Sequence, residues 1–201
     1  MKIAILASGN GSNFEAIVKA IKKGKIKNAK VVLLITDRRN AFVRIRAKRH
    51  KIEDVFVDPN KFKDRVSFDR KIVRILRQKK IDLVVLAGFM RILTPYFVKA
   101  FKNRILNIHP ALLPSFKGTG AIERAYHYGV KITGVTVHFV DEDVDHGPII
   151  LQAPLYISER DDLESLEKRI HRLEHRLYPL AIKLFIDGKL VIDKRRVIVQ
   201  E

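Results

Sequence analysis

The chain has 201 residues, 47% of them hydrophobic, carries a formal net charge of +18 and contains no cysteine. This length accommodates a single α/β domain, and the lack of cysteine excludes disulfides, thiol catalysis and thiolate-bound metals. No apolar run reaches the roughly 18 residues that a membrane span requires, so we predict a cytoplasmic protein with no membrane partner.

Apolar runs alternate with amphipathic stretches through the first half of the chain. Buried strands are predicted at residues 2–8, 31–36, 53–57, 82–88 and 104–109. Helices are predicted from a Ser12 cap onward, at 40–50, at 64–79, and from a Thr94-Pro95 start as far as Phe101. This alternation indicates βαβ units, and therefore a parallel sheet with right-handed crossovers.

The pattern changes in the second half. A helix reaching Tyr128 is followed by strands at 133–140 and 148–157, a long helix from Asp161 or Asp162 to Asp187, and a terminal hairpin. We therefore predict a single domain, residues 1–201. Its α/β fold is a Rossmann-like, open, twisted and mostly parallel sheet flanked by helices, with an antiparallel C-terminal addition.

The loop SGNGSN (8–13) follows the first predicted strand and opens the first helix. Two glycines let a ligand approach the backbone, and the free N–H groups of a helix start favour phosphate. A dinucleotide fingerprint requires a third glycine where Phe14 stands, and the lysine of a P-loop is absent. The pattern leaves two alternatives, a site for a single phosphate and a plain turn with a serine cap.

The acidic loop 141–148 has the alternating aspartates of a calcium-binding loop. However, His146 stands where an EF-hand requires glycine, and Gln152 stands where it requires a bidentate glutamate. We therefore predict no metal site. Asp145 lies just before the chain enters the next strand, and we expect His146 to face solvent.

The stretch NIHPALLP places Asn107 and His109 at the end of a predicted strand, where open α/β sheets bind their ligands. A lone histidine proves little, so a structural and a catalytic role both remain open on this pattern. A neighbouring carboxylate raises the pKa of an imidazole and fixes its orientation. Asp145 is the carboxylate that we expect to serve His109 in this way.

Six segments together resemble the glycinamide ribonucleotide formyltransferases of the folate-dependent formyltransferase family. They occur in the order and spacing of that family over nearly the whole chain: SGNGSN (8–13), VVLAGFMRIL (84–93), NIHPALLPSF (107–116), VKITGVTVHFVDE (130–142) with DHGPIILQA (145–153), and LEHRLYP (173–179). The resemblance implies transfer of the formyl group of 10-formyltetrahydrofolate, the co-substrate, to the primary amine of 5′-phosphoribosylglycinamide in purine biosynthesis.

The resemblance also implies residue roles. The implied catalytic residues are Asn107, His109 and Asp145. The implied ribonucleotide-binding residues are Gly11, Ser12 and Asn13 for the phosphate and Glu174 for the glycinamide end. The implied folate-binding residues are Arg65, Met90, Arg91, Ile92, Leu93, Phe97, Val98, Ile105, Asn107, Val140, Asp141, Val144 and Asp145. The chain departs from the family pattern at Gly120, His146 and His171, where other residue types are common.

Alternatives remain for the acceptor and for the basic charge. A related folate-dependent formyltransferase, acting on methionyl-tRNA, would carry a further RNA-binding domain, and a 10-formyltetrahydrofolate deformylase would carry an additional N-terminal one. A basic nucleic-acid-binding α/β protein is the non-enzymatic alternative, but the chain lacks a recognition motif. We attribute the charge to a thermophile surface, and we expect small-molecule substrates, no nucleic acid, and a monomer or homodimer.

Overall fold

The computed structural model describes residues 1–200, which form two compact units, Met1–Asn107 and a second beginning at Ile108. The strands of the first unit are Lys2–Leu6 (β1), Lys30–Thr36 (β2), Glu53–Phe56 (β3), Leu83–Leu86 (β4) and Ile105–His109 (β5), within which the chain passes into the second unit. The helices are Ser12–Lys22 (α1), Val43–Arg49 (α2), Arg65–Gln78 (α3) and Pro95–Ala100 (α4), with a 3-10 turn at Pro59–Lys61.

The strands of the first unit lie in the order β3-β2-β1-β4-β5, and every neighbouring pair is parallel. The central strands are apolar at consecutive positions, as in IAIL of β1 and LVVL of β4, and these side chains are buried. Such continuous apolar runs are typical of strands that are covered on both faces. The predicted parallel βαβ arrangement is confirmed.

The first helix begins differently from the prediction. Gly11, with φ of 77°, is the N-cap of α1, Ser12 is already helical, and no side chain caps the helix. The left-handed backbone at position 11 favours glycine, and a Cβ there would lie 2.4 Å from a Cγ of Val43 in α2. Ser12 is therefore not the cap, because the close approach of α2 fixes the turn one residue earlier.

The second unit contains the antiparallel addition. Its elements are Ala121–Tyr128 (α5), Ile132–Phe139 (β6), Ile149–Tyr156 (β7), Leu163–Ile186 (α6), Leu190–Asp193 (β8) and Arg196–Val199 (β9). β6 pairs antiparallel with β7, and β8 pairs antiparallel with β9. Asp162 caps α6 by accepting a hydrogen bond from the Ser165 N–H at 2.7 Å, so the second of the two predicted caps is correct.

The predicted fold class is confirmed by these parallel and antiparallel parts. The assignment of residues 1–201 to one domain stays a prediction. Within residues 1–200, the structure has no helix that is both long enough and apolar enough to span a membrane.

Gly134 in β6 offers a stability test. A Cβ at this position would lie 2.2 Å from the Ala153 carbonyl oxygen of β7 and 2.7 Å from the Leu112 side chain. We expect Gly134→Ala to lower the free energy of unfolding by about 3 kcal/mol, because the strand pair must shift to admit a methyl group. Denaturant unfolding would measure this, with Gly9→Ala, which meets no atom within 4 Å, as the control. Equal stability of the two variants would contradict the prediction.

Candidate active site

His109 ends β5 with its ring almost fully buried, at 4% exposure. Its Nδ1 lies 3.3 Å from Oδ2 of Asp145, and its Nε2 lies 2.9 Å from the carbonyl oxygen of Phe116. Both ring nitrogens therefore face oxygen acceptors, and only an imidazolium can donate to both at once. The structure brings together the histidine and the carboxylate that the sequence suggested as a pair.

The charge state of His109 is set by opposing effects. Burial lowers the pKa of His109 below its ordinary value, while the charge of Asp145 and the hydrogen bond to the Phe116 carbonyl raise it. Burial dominates, so the net direction is downward. Asp145 raises the pKa of His109 as expected, but the expectation of a net rise is wrong, because the strand-end pattern did not reveal how deeply the ring is enclosed.

Asp145 is held in place by several partners. The Gly118 N–H donates to its Oδ2 at 2.8 Å, and Nε2 of His138 lies 3.7 Å from its Oδ1. Burial alone would raise the pKa of Asp145, but hydrogen bonds from His138 and Gly118 and the charge of His109 lower it overall. The carboxylate is therefore stabilised in its ionised form.

His138 was not identified as a site residue from the sequence. It is 2% exposed, and its Nδ1 lies 2.7 Å from the Phe139 carbonyl oxygen, an arrangement that leaves Nε2 facing Asp145. A signal was present, because Thr136 and His138 are two polar residues at alternate positions, and therefore on the same face, of a mostly apolar strand.

The loop after His109 is anchored to side chains of both β6 and β7. Thr136 donates a hydrogen bond to the Ala111 carbonyl at 2.7 Å and accepts one from the Leu113 N–H at 3.1 Å. The Gln152 amide donates to the Leu113 carbonyl at 2.9 Å. These bonds satisfy the backbone of a buried loop, and they fix the path of the chain beyond the imidazole.

The loop SGNGSN (8–13) of the first unit is hydrogen-bonded to α2. Nε of Arg46 donates to the Asn10 carbonyl oxygen at 2.9 Å, and its Nη2 donates to Asn10 Oδ1 at 2.8 Å. The Val43 N–H donates to the Gly9 carbonyl at 3.1 Å. Ser12 and Asn13 follow, half-buried at the start of α1, where helix N–H groups favour an anion.

The residues suggested for folate lie in several environments. Met90 and Ile92 are 59% and 55% exposed. The guanidinium of Arg91 lies 4.8 Å from the centre of the Phe68 ring. The remaining apolar members of this set in the first unit are buried: Leu93, Phe97, Val98 and Ile105. Arg65 is exposed at the first position of α3, and Asn107 is half-buried in β5.

In the second unit, Val140 and Asp141 are half-buried and Val144 is 43% exposed. Nδ1 of His146 lies 2.7 Å from Oδ2 of Asp141, and an Arg195 Nη2 donates to the His146 carbonyl at 2.6 Å. His146 is thus partly exposed but also engaged with this loop. Among residues 1–200, no group of three or more histidine, aspartate or glutamate side chains is arranged to hold a metal ion.

Glu174 lies in α6 with 3% exposure, and Nδ1 of His171 lies 2.9 Å from its Oε2. This hydrogen bond raises the pKa of His171 above its ordinary value of 6.5, and burial opposes it without reversing it. The buried carboxylate therefore has a partner one turn away on the same helix.

Comparison with known proteins gives consistent matches. The profile of a family described as formyl transferase matches residues 1–182. The chain is 44% identical to phosphoribosylglycinamide formyltransferase of Bacillus subtilis, over 90% of this chain and 93% of that protein. It is 43% identical to the protein of that name from Haemophilus influenzae, over 94% and 89%. The crystal structure of glycinamide ribonucleotide transformylase 1 from Symbiobacterium toebii has a TM-score of 0.97 and 44% identity, covering 100% of this chain and 94% of that chain.

The His171–Glu174 pair should make stability depend on pH. Because the pKa of His171 is raised in the folded chain, its contribution is fully present below the unfolded-state value and is lost as pH rises through the folded value. We expect His171→Asn to lower the free energy of unfolding more at about pH 6 than at about pH 9. Denaturant unfolding at both pH values measures this.

A Glu174→Gln background serves as the control for this prediction, because the double-mutant cycle isolates the pair. In that background the effect of His171→Asn should no longer differ between the two pH values. An unchanged pH dependence in the Glu174→Gln chain would show that another group is responsible.

Proposed function

This chain belongs to the formyl transferase family, and we propose that it transfers the formyl group of 10-formyltetrahydrofolate to the primary amine of 5′-phosphoribosylglycinamide. The products are phosphoribosyl-N-formylglycinamide and tetrahydrofolate, in purine biosynthesis. The observation that carries the proposal is the pair formed by the buried His109, at the end of β5, and the half-buried Asp145, 3.3 Å apart.

The reaction requires a proton transfer but no nucleophilic side chain. The substrate amine attacks the formyl carbon, and a tetrahedral intermediate forms with negative charge on its oxygen. The bond from that carbon to N10 of the folate then breaks, and a proton leaves the amine nitrogen while one is added to N10. A positioned acid–base group accelerates such a transfer. Because the substrate amine is the nucleophile, the reaction does not require a cysteine.

We assign this proton transfer to His109. Burial lowers its pKa, which favours the neutral ring. The neutral ring donates to only one of its two oxygen neighbours, so its other nitrogen is left to accept the proton of the attacking amine. Asp145, kept ionised by its partners, stabilises the imidazolium that then forms and holds the ring in one orientation. The Asn107 amide donates a hydrogen bond to the developing oxyanion.

The remaining residues bind the two substrates. The start of α1, with Gly11, Ser12 and Asn13, holds the phosphate of the ribonucleotide through backbone N–H groups, which suits the conformation of that loop. Glu174 accepts a hydrogen bond from the glycinamide end. The folate-binding residues stay as predicted, with exposed Met90 and Ile92 offering apolar surface to the pterin.

We further propose a cytoplasmic monomer or homodimer that acts on small molecules and has no nucleic-acid partner. The support is the dispersal of positive charge: lysine and arginine residues occur on α1, α2, α3, α6 and the β8–β9 hairpin. A nucleic-acid footprint would require them to cluster on one face or stripe.

A spectroscopic assay of tetrahydrofolate formation tests the function. Turnover should require 5′-phosphoribosylglycinamide, and the same compound without its phosphate should support little or none, because the α1 site loses its anion. Tetrahydrofolate formation without any acceptor would instead indicate a deformylase. Equal turnover of the phosphorylated and unphosphorylated acceptors would remove the phosphate site from the proposal.

Replacing Asp145 tests the proton-transfer pair. We expect Asp145→Asn to lower kcat by about 100-fold to 10,000-fold, the range for acid–base groups, because the imidazolium of His109 loses its stabilising charge. Steady-state kinetics and circular dichroism give the rate and the fold. Asp143→Asn is the matched control, since that side chain is 79% exposed in the same loop. Near-normal turnover of Asp145→Asn would exclude the carboxylate from the mechanism.

A further inference from the structure

The segment between β4 and α4 exposes apolar side chains on a fixed backbone. Met90 and Ile92 are more than half exposed, whereas Leu93 and Thr94 are buried at 6% and 5%. An irregular segment of this kind keeps one conformation only if other groups hold its backbone. We refer to Met90–Leu93 as the pterin loop, from the role that the proposed function gives it.

Ser8 anchors the beginning of the pterin loop. Ser8 is buried, and its Oγ accepts a hydrogen bond from the Met90 N–H at 2.9 Å. The same hydroxyl donates to Oδ1 of Asp37 at 2.6 Å. Because a serine hydroxyl has one proton, its donation to Asp37 leaves the lone pairs to accept from Met90. Asp37 therefore sets the direction of the bond that holds the loop.

The network continues to the arginine of the loop. Oδ2 of Asp37 lies 4.0 Å from Nη1 of Arg91, and the Arg91 guanidinium lies over the Phe68 ring. The Arg91 guanidinium thus interacts with both the Asp37 carboxylate and the face of the Phe68 ring. The attraction of a cation to a ring is strengthened when the pair is partly removed from water. One carboxylate consequently restrains two consecutive residues of the pterin loop.

The end of the loop is fixed independently. Oδ2 of Asp69, a residue 3% exposed in α3, accepts hydrogen bonds from both the N–H and the hydroxyl of Thr94 at 2.7 Å. With Thr94 held, the freedom of the exposed residues between the anchors depends on the contact at Ser8.

We propose that Ser8 and Asp37 are positioning residues that hold the pterin loop in the conformation that binds the folate co-substrate. The inference rests on the proposed function, and it adds two residues, neither of which the sequence assigned to folate binding. A loop that is ordered before binding avoids the entropy loss of ordering it on binding. Releasing the Met90 backbone should therefore weaken the binding of folate and leave the binding of the ribonucleotide nearly unchanged.

The test combines exchange, binding and kinetics on the full chain. Hydrogen exchange at the Met90 amide reports the anchor, calorimetry with tetrahydrofolate reports the Kd, and steady-state assays give KM for each substrate. The variants are Ser8→Ala and Asp37→Ala, with Asp37→Asn as the conservative variant that keeps an oxygen acceptor for Ser8. Asp54→Ala is the matched control, because Asp54 is a similarly enclosed carboxylate, 2.6 Å from Arg44 in the same unit.

We expect Ser8→Ala and Asp37→Ala to speed exchange at Met90 and to raise the tetrahydrofolate Kd and the folate KM by about 10-fold, as loss of one or two hydrogen bonds would. The ribonucleotide KM should change by less than about 2-fold, and Asp37→Asn should restore most of the binding. Asp54→Ala should lower the melting temperature without changing the ratio of the two KM values.

Two results would overturn the inference alone: Met90 exchange that is unchanged in Ser8→Ala, or a folate Kd that rises no more than in Asp54→Ala. Failure of the proposed function is a different result, because the wild-type chain would then bind no tetrahydrofolate and form no product with the ribonucleotide. That result would overturn this inference together with the function, even if Met90 exchange responded as expected.

Discussion

The half-buried carboxylate of Asp145 is the constraint on which the candidate site depends. A carboxylate removed from water is stable only when hydrogen-bonded and paired, and here the partners come from three segments: the end of β5, the end of β6 and the loop at Gly118. Each segment must therefore reach the same position in the folded chain. The orientation of His109, the feature that matters for proton transfer, follows from this convergence.

Most of the fold could be predicted from the sequence because the strands of the first unit are apolar at consecutive positions. β1, β3, β4 and β5 lie within the predicted ranges, and β2 begins one residue before its predicted range. The antiparallel strands β6 and β7 each lie within one residue of their predicted bounds. Errors arose where tertiary contact decides a local detail. The start of α1 is one example, since the approach of Val43 to Gly11 comes from a helix about thirty residues later.

The candidate site likewise combines features that the sequence predicts with features that depend on tertiary contacts. The pairing of His109 with Asp145 was accessible from loop positions and from resemblance, but the net pKa of His109 was not, because it depends on enclosure by residues that are distant in sequence. The contacts of Ser8 with Asp37 and Met90 and the place of His138 beside Asp145 were missed for a related reason: each joins residues on different strands or loops. Three arginines also join residues that are distant in sequence. Arg46 and Arg195 each donate to a backbone carbonyl, and Arg91 lies over an aromatic ring and beside a carboxylate.

Asp145 also adopts a left-handed backbone, with φ of 47°. Among residues other than glycine, asparagine and aspartate are the ones that enter this region most readily. Position 145 must satisfy a conformational preference and an electrostatic one, and aspartate satisfies both with little strain. Glutamate would keep the charge, but it enters the left-handed region less readily, and its longer side chain would carry the carboxylate one carbon further from the backbone. Substitution at position 145 is therefore more constrained than substitution at exposed positions of the same loop, such as Asp143.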